Sequence, residues 1–262
     1  MDLQLSGRTA IILASTKGLG KATAIALANE GANVTISGRD EAALQATASE
    51  IEQATGRAPL AIITDITKKE DIESLVTQTA ETYGSVDILI NNAGGPAAGT
   101  FDQMTDELWQ QAFELNLLSF VRAIRAVLPH MRAQKFGRIV NFASSSFKQP
   151  IDNLILSNTF RTGIVGLAKT LATELGPDGI LINTLGPGRI ATERLGALDQ
   201  FRANLTGSTM EEVQQQMKAQ IPLGRYGEPE EFARVATFLA SPANSYVTGQ
   251  AILVDGGMVR AI

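Results

Sequence analysis

The chain has 262 residues, of which 44% are hydrophobic and 19% are charged, and this composition excludes disordered and collagen-like proteins. The absence of cysteine and the presence of a single histidine, His130, exclude disulfides, thiolate catalysis and a Cys- or His-rich metal site, so no metal is expected. A net charge of −5 argues against nucleic-acid binding. The longest uncharged run, 235–254, contains Pro242 and Gly249, so no membrane span is expected. With no secretory signal visible at the start, a cytoplasmic protein is expected.

Short apolar runs rich in β-branched residues alternate with longer amphipathic stretches along the chain. This alternation is typical of repeated βα units around a parallel sheet. Strands are predicted at 9–14, 33–37, 60–64, 88–91, 138–142, 181–185 and 251–254. Helices are predicted at 19–29, 41–54, 68–82, 106–131 and 159–174.

No linker divides the chain, so one domain is predicted over residues 1–262. Its expected class is α/β, a Rossmann fold with a doubly wound, seven-stranded parallel sheet and helices on both faces. The alternation of predicted strands and helices is interrupted only at 191–227, where apolar residues recur at helical spacing. This segment is predicted to be a helical lid over a substrate, or, as the alternative, to pack only on the core.

The first predicted strand runs into a turn that contains Gly18 and Gly20 and then into a helix. Glycines in such a turn let the backbone approach a pyrophosphate, and the helix N-terminus points free N–H groups at it. The spacing differs from G-x-G-x-x-G, so a plain strand-to-helix turn remains the alternative.

Residues 13–20 resemble the T-G-x-x-x-G-x-G turn of the short-chain dehydrogenase/reductase family, with Ala14 at the first glycine. The later segment 91–94, Asn-Asn-Ala-Gly, is similar to the family's N-N-A-G motif, and 227–257 looks like the C-terminal part of its ketoacyl-carrier-protein reductase branch. The resemblance implies dinucleotide binding, and a homotetramer or homodimer. The cofactor-binding positions that it implies are Ser15, Thr16, Lys17, Gly18, Leu19, Gly20, Arg39, Asp65, Ile66, Asn91, Ala93, Gly94, Arg161, Pro187, Gly188, Ile190 and Thr192.

The residues after the second predicted strand, Ser-Gly-Arg-Asp at 37–40, bear on which dinucleotide is bound. A binder of NAD is expected to place an acid near the ribose hydroxyls, whereas positions 37 and 38 carry none. Arg39 and Lys17 are instead suited to a 2′-phosphate, so NADP(H) is expected in preference to NAD(H). The alternative is that Arg39 pairs with Asp40 or with solvent and that Lys17 is a surface charge.

At the catalytic positions the chain departs from the family. The family pattern of Ser, Tyr and Lys is represented here by Ser144, Ser157 and Arg161, and Asn116 matches the asparagine that orders a water in the family's proton relay. A serine hydroxyl ionises far above neutral pH and arginine stays protonated, so the pair cannot exchange a proton as Tyr and Lys do. Tyr226, within 191–227, is the one tyrosine expected to come near a substrate.

Three functions therefore stay open. The first is an NADP(H)-dependent oxidoreductase acting on an apolar or carrier-linked carbonyl or alcohol, similar to 3-oxoacyl-carrier-protein reductase. The second is a non-redox enzyme in which Ser157 and Arg161 stabilise an oxyanion. The third is a catalytically silent dinucleotide-binding protein.

Overall fold

Seven parallel strands form one sheet in the order β3-β2-β1-β4-β5-β6-β7 in the computed structural model, which describes residues 1–261. Helices cover both faces, so the predicted single-domain Rossmann fold is confirmed. The strands are β1 (Thr9–Ile12), β2 (Asn33–Gly38), β3 (Leu60–Ile63), β4 (Ile88–Asn91), β5 (Gly137–Phe142), β6 (Ile180–Pro187) and β7 (Ala251–Val254).

The helices follow the predicted order with three differences. The predicted helix 106–131 is two helices separated by a π-helical turn at Glu114–Leu118, the predicted helix 159–174 begins earlier, at Ile155, and α9 was not predicted. The helices are α1 (Gly18–Asn29), α2 (Glu41–Thr55), α3 (Lys69–Tyr83), α4 (Asp106–Phe113), α5 (Ser119–Ala133), α6 (Ile155–Leu175), α7 (Glu193–Thr206), α8 (Met210–Ala219) and α9 (Pro229–Leu239).

The core consists of two apolar layers, one on each face of the sheet. On β1, Ile12 packs in the layer with Leu27 of α1 and Phe232 of α9. Its neighbour Ile11 packs in the opposite layer with Val127 of α5. Because successive side chains of a strand point to opposite faces, a strand covered on both sides must be apolar throughout. This double burial accounts for the unbroken apolar runs that predicted the strands.

The sheet order places the carboxyl ends of β1 and β4 side by side, although β2 and β3 follow β1 along the chain. Such a reversal of strand order opens a crevice at the carboxyl edge, where ligands of open α/β sheets bind. No helix within residues 1–261 has the length and apolar character needed to cross a membrane. In the same described range, His, Asp and Glu side chains form no cluster of three or more suited to a metal ion.

Candidate active site

The turn between β1 and α1 is fixed by both neighbouring strands. Ala14 has a φ of +47°, in the left-handed region that favours glycine. Its N–H donates to Ser37 Oγ at the end of β2 (3.2 Å), and its carbonyl accepts from Asn92 Nδ2 just after β4 (3.0 Å). These two bonds hold an alanine where the family pattern has glycine, so the turn keeps its shape despite the methyl group.

Gly20 is required by the packing of this turn. A Cβ built on Gly20 would lie 2.7 Å from the Ala14 carbonyl oxygen and 2.7 Å from Asn92 Nδ2, closer than van der Waals contact allows. The glycine therefore lets α1 pack against both the turn and β4. Gly196 in α7 differs, because the nearest atom to its built Cβ is 3.8 Å away.

We expect Gly20→Ala to lower the free energy of unfolding by about 1–3 kcal/mol, the typical cost of overpacking a tight site. The matched variant Gly196→Ala meets no close atom and is expected to raise it by about 0.5–1 kcal/mol through helix propensity. Urea denaturation of both variants beside the unmutated protein checks the contrast. If both substitutions changed the free energy of unfolding equally, the close contacts around Gly20 would not be what excludes a Cβ at this position.

The N-terminus of α1 is suited to an anionic group. No side chain caps it, and its first turn carries no acid. By contrast, Asp40, Thr192 and Thr209 cap α2, α7 and α8 with their side-chain oxygens. Uncapped N–H groups at a helix start bind phosphate well. The turn 15–20 therefore fits the pyrophosphate of a dinucleotide.

Arg39 follows β2 directly and is exposed at the carboxyl edge of the sheet. Asp40 is engaged elsewhere, because its Oδ1 accepts from the Ala43 N–H (2.9 Å) to cap α2. None of the ion pairs among residues 1–261 includes Arg39, whereas Lys17 pairs with Glu193 at 2.7 Å on the surface. The charge of Arg39 is thus available to a ligand, whereas the charge of Lys17 is partly neutralised by Glu193.

Asp65 and Ile66 lie after β3, beside Arg39. Burial raises the pKa of the Asp65 carboxyl, but hydrogen bonds from Thr67 and the charges of Arg39 and Lys68 outweigh it, so the net pKa lies below the usual value. Asp65 is therefore ionised near neutral pH. The side chain of Ile66 is buried in the core.

The π-helical turn between α4 and α5 places Asn116 against β4. Asn116 Nδ2 donates to the Gly94 carbonyl (2.7 Å), and its Oδ1 is buried without a partner among residues 1–261. π-Turns are frequent at functional sites because they shift side chains and carbonyls out of helical register. Asn116 thus offers a free acceptor for a water or a ligand next to the loop after β4.

Arg161 reaches the same loop from α6. Its Nη1 donates to the Phe142 carbonyl at the end of β5 (2.9 Å) and its Nη2 to the Ala93 carbonyl (3.4 Å). Ser157 precedes it by four residues, so both side chains lie on the buried face of α6. Ser144 follows β5 by two residues, and its Oγ accepts from the Ser146 N–H (3.2 Å). The structure therefore brings all four predicted catalytic positions to the carboxyl ends of β4 and β5.

Arg161 carries a charge in a buried place. It is 5% exposed, and its bonds to protein go to neutral carbonyls. Burial, with a smaller contribution from the charge of Arg194, lowers the pKa of Arg161 to about 10, so the guanidinium stays cationic at neutral pH. A buried cation that no carboxylate neutralises is costly to fold, and such groups cluster at functional sites.

The segment after β6 faces the turn before α1. A Cβ built on Gly18 would contact Thr192 Cγ2 at 3.6 Å. Gly188 is held by its N–H bond to the Val254 carbonyl (2.9 Å), and Ile190 is buried. Thr192 therefore lies against the turn 15–20, and Pro187, Gly188 and Ile190 lie in the segment that leads to it from β6. Asn91 lies inside the sheet instead, where its Nδ2 donates to Asn141 Oδ1 (2.8 Å).

The hydroxyl of Tyr226 is bound by a side chain of α7. Its hydroxyl donates to Asp199 Oδ2 (2.9 Å), and Asp199 also accepts from Arg189 (2.6 Å). Burial, with the Asp199 hydrogen bond, raises the pKa of Tyr226 to about 12. This contact ties α7 to the segment before α9, and the approach of Tyr226 to a substrate stays a prediction.

Sequence reasoning missed two residues here. Arg194 of α7 donates from Nη2 to the Pro96 carbonyl (2.7 Å), and Asn92 holds the turn before α1. The partner of Arg194 is 98 residues away in sequence, so local pattern gives no signal for it. Asn92 belongs to the N-N-A-G match, which was the only signal for it.

Comparison with known proteins matches nearly the whole chain to one family. Residues 13–259 match the family model described as Enoyl-(Acyl carrier protein) reductase. The chain is 34% identical over 259 residues to the 3-oxoacyl-(acyl-carrier-protein) reductase FabG of Aquifex aeolicus, which covers 98% of this chain and 100% of that protein. The chain belongs to the short-chain dehydrogenase/reductase family.

Solved structures of short-chain dehydrogenases/reductases share the complete architecture. L-Sorbose reductase from Gluconobacter frateurii, complexed with NADPH and L-sorbose, is 32% identical with a TM-score of 0.94, and the match covers 100% of both chains. Actinorhodin polyketide ketoreductase with NADPH is 34% identical with a TM-score of 0.93, over 97% of this chain and 98% of that one. The resemblance drawn from the motifs is therefore confirmed at the level of family and fold.

Proposed function

We propose that this protein is an NADP(H)-dependent oxidoreductase that interconverts a carbonyl and an alcohol, with Ser157 and Arg161 at the positions of the family's Tyr and Lys. The buried cation of Arg161 carries the proposal. It follows Ser157 on α6 and contacts the carbonyls of Phe142 and Ala93, which lie two residues before Ser144 and one before Gly94, the partner of Asn116. The glycine turn lies at the same carboxyl edge of the sheet. The two similar structures with NADPH support the choice of cofactor.

The chemistry is divided among these residues. A nicotinamide dinucleotide, when bound, supplies or accepts the hydride. The hydroxyls of Ser144 and Ser157 donate hydrogen bonds to the carbonyl oxygen and orient it. Arg161 stabilises the negative charge that develops on this oxygen, as donors of an oxyanion hole do. In the reduction the proton comes from a water held by Asn116 Oδ1, and that water regains a proton from solvent, because serine and arginine do not release one near neutral pH.

NADP(H) is proposed in preference to NAD(H), because Arg39 is exposed at the end of β2 and none of the ion pairs among residues 1–261 includes it. The residues implied by the resemblance, 15–20, Asp65–Ile66, Ala93–Gly94 and 187–192 among them, are proposed to line the cofactor. The segment 191–227, which contains α7 and α8, is proposed as the substrate lid. A homotetramer or homodimer is proposed by resemblance, and the lack of cysteine supports a reducing compartment such as the cytoplasm.

The test is to follow oxidation of NADPH with a panel of aliphatic ketones, oxo acids and 3-oxoacyl thioesters, and reduction of NADP+ with the corresponding alcohols. We expect turnover of at least one class, with NADPH favoured over NADH. Tight NADPH binding without turnover across the panel would overturn the oxidoreductase and favour the silent binding protein. Failure to bind either dinucleotide would leave the non-redox enzyme, in which Ser157 and Arg161 stabilise an oxyanion.

A further inference from the structure

Two arginines from different helices contact the loop that follows β4. Arg161 of α6 donates to the Ala93 carbonyl (3.4 Å), and Arg194 of α7 donates to the Pro96 carbonyl (2.7 Å). The guanidinium of Arg194 lies against the loop, since a Cβ built on Gly95 would fall 2.8 Å from Arg194 Nε. One guanidinium therefore stands at each end of residues 93–96.

Neither charge is balanced by the protein. Over residues 1–261, none of the ion pairs includes Arg161 or Arg194. Glu193, the acid next to Arg194 in sequence, pairs with Lys17 instead. The other groups described at this site, Ser144, Ser157 and Asn116, are neutral. The two cations are close enough for the charge of Arg194 to contribute, after burial, to the lowered pKa of Arg161. Arg161 is buried whereas Arg194 is exposed, so the cost of an unpaired charge falls mainly on Arg161, and an anionic ligand bound between the two cations relieves it.

We propose that Arg161 and Arg194 together bind a carboxylate of the substrate, so that the protein acts on oxo acids or hydroxy acids in preference to neutral ketones and thioesters. Guanidinium groups present N–H donors in a fork that matches a carboxylate. Of the five N–H donors of Arg161, two are used by the Phe142 and Ala93 carbonyls, which leaves donors for a ligand.

This inference rests on the proposed function and narrows its substrate. Arg161 must face the reacting carbonyl and the carboxylate together, so these two groups have to be close in the substrate. The keto carbon is bonded to the carboxylate carbon, as in a 2-oxo acid, or is separated from it by one carbon, as in a 3-oxo acid. The pyrophosphate of a dinucleotide is the other anion to consider. Its own donors are the N–H groups at the uncapped start of α1, whereas both arginines donate to carbonyls of the loop after β4 or of the end of β5. Glu193, next to Arg194, pairs with Lys17 of the turn before α1, so the test has to separate the two anions.

The test is a calorimetric titration of the NADP+-saturated protein with acetoacetate and, separately, with methyl acetoacetate. We expect the acid to bind at least tenfold more tightly than its ester, and Arg194→Gln to abolish this preference while leaving the Kd for NADP+ unchanged. Arg202→Gln is the matched control, because Arg202 lies on the same helix and contacts Met217 of α8 instead. This control should keep the preference for the acid.

Equal affinity of the unmutated protein for the acid and the ester would overturn the carboxylate site. A loss of NADP+ affinity in Arg194→Gln as large as the loss for acetoacetate would also overturn it, and would assign the pair to the cofactor's pyrophosphate. If the protein does not bind NADP+ at all, the proposed function fails on its own. The same titration without cofactor then decides separately whether the arginine pair binds acetoacetate.

Discussion

Replacing Arg161 with glutamine is expected to lower kcat/KM for a carbonyl substrate by about 100- to 1,000-fold. This range corresponds to the roughly 2.7–4 kcal/mol lost when one donor to a developing oxyanion is removed. Glutamine keeps an amide donor for the backbone carbonyls but removes the positive charge. We therefore expect the loss mainly in kcat, since charge on the carbonyl oxygen develops only toward the transition state.

Arg138 provides a matched control on β5, the strand whose carboxyl end Arg161 contacts from α6. Arg138 is the second residue of β5, it is 7% exposed, and its guanidinium also donates to backbone carbonyls, those of Ser241 and Asn244. Burial, with the charge of Arg8, lowers its pKa to about 10, as burial does for Arg161.

We expect Arg138→Gln to lower the melting temperature and to leave kcat/KM of the folded protein within about threefold of the original, because Arg138 lies at the opposite end of the sheet from the crevice. Steady-state kinetics at a temperature where all three proteins are folded, together with thermal denaturation, separate the two effects. Equal losses of kcat/KM in the two variants would mean that Arg161 is structural only.

The strands and the fold were accessible from the sequence because burial on both faces removes polar residues from each strand. Ile11 and Ile12 pack in opposite core layers, so the residues on both faces of this strand have to be apolar. The predicted strand 9–14 nevertheless continues too far. Beyond Ile12, the bonds of Ala14 to Ser37 and Asn92 turn the chain toward α1, and these partners are distant in sequence.

The π-turn at Glu114–Leu118 could not be predicted, because apolar spacing continues across 106–131 without a break. The bond of Asn116 to the Gly94 carbonyl holds that turn, and it joins residues 22 apart. The start of α6 was misplaced by four residues for a similar reason. Asn158, before the predicted start, exchanges hydrogen bonds with the backbone of Ile151, a partner seven residues back.

In the candidate site, too, features that depend on neighbouring residues could be predicted from the sequence, and features that depend on residues distant in sequence could not. Gly18 and Gly20 were assigned from a turn between a predicted strand and a predicted helix, and Ser144, Ser157 and Arg161 from the spacing of the family's Ser, Tyr and Lys. The lack of a counterion for Arg161 was invisible in sequence, because it depends on every residue that packs around the guanidinium. The contact of the Tyr226 hydroxyl with Asp199 was equally invisible, because the two residues are 27 apart in sequence.

Arg39→Ala is expected to weaken NADPH binding by about ten- to a hundredfold and to leave NADH binding unchanged, since charge-assisted bonds to a phosphate are lost only with the phosphorylated cofactor. The position of Arg39 supports this expectation. The glycine turn touches the end of β2, because a Cβ built on Gly38 would fall 2.5 Å from Thr16 Cγ2. Arg39 is the next residue, so it directly borders the turn that is proposed to bind the dinucleotide.

Two comparisons make the result specific. Arg57→Ala removes an exposed arginine that follows α2 and donates to the Gly31 carbonyl, at the other end of the same βα unit, and should change neither affinity. Lys17→Gln should weaken NADPH binding less than Arg39→Ala does, because Lys17 shares its charge with Glu193. Fluorescence titration with both dinucleotides gives the affinities.

Salt provides an independent check on the same interaction. Because Arg39 is exposed, its attraction to a 2′-phosphate is screened as ionic strength rises, and the preference for NADPH over NADH should narrow between 0.05 and 0.5 M salt, where the Debye length falls from about 14 to about 4 Å. In Arg39→Ala the remaining preference should be small and nearly independent of salt. A variant that loses affinity for both dinucleotides equally, with unchanged salt dependence, would show that Arg39 supports the turn and does not read the phosphate.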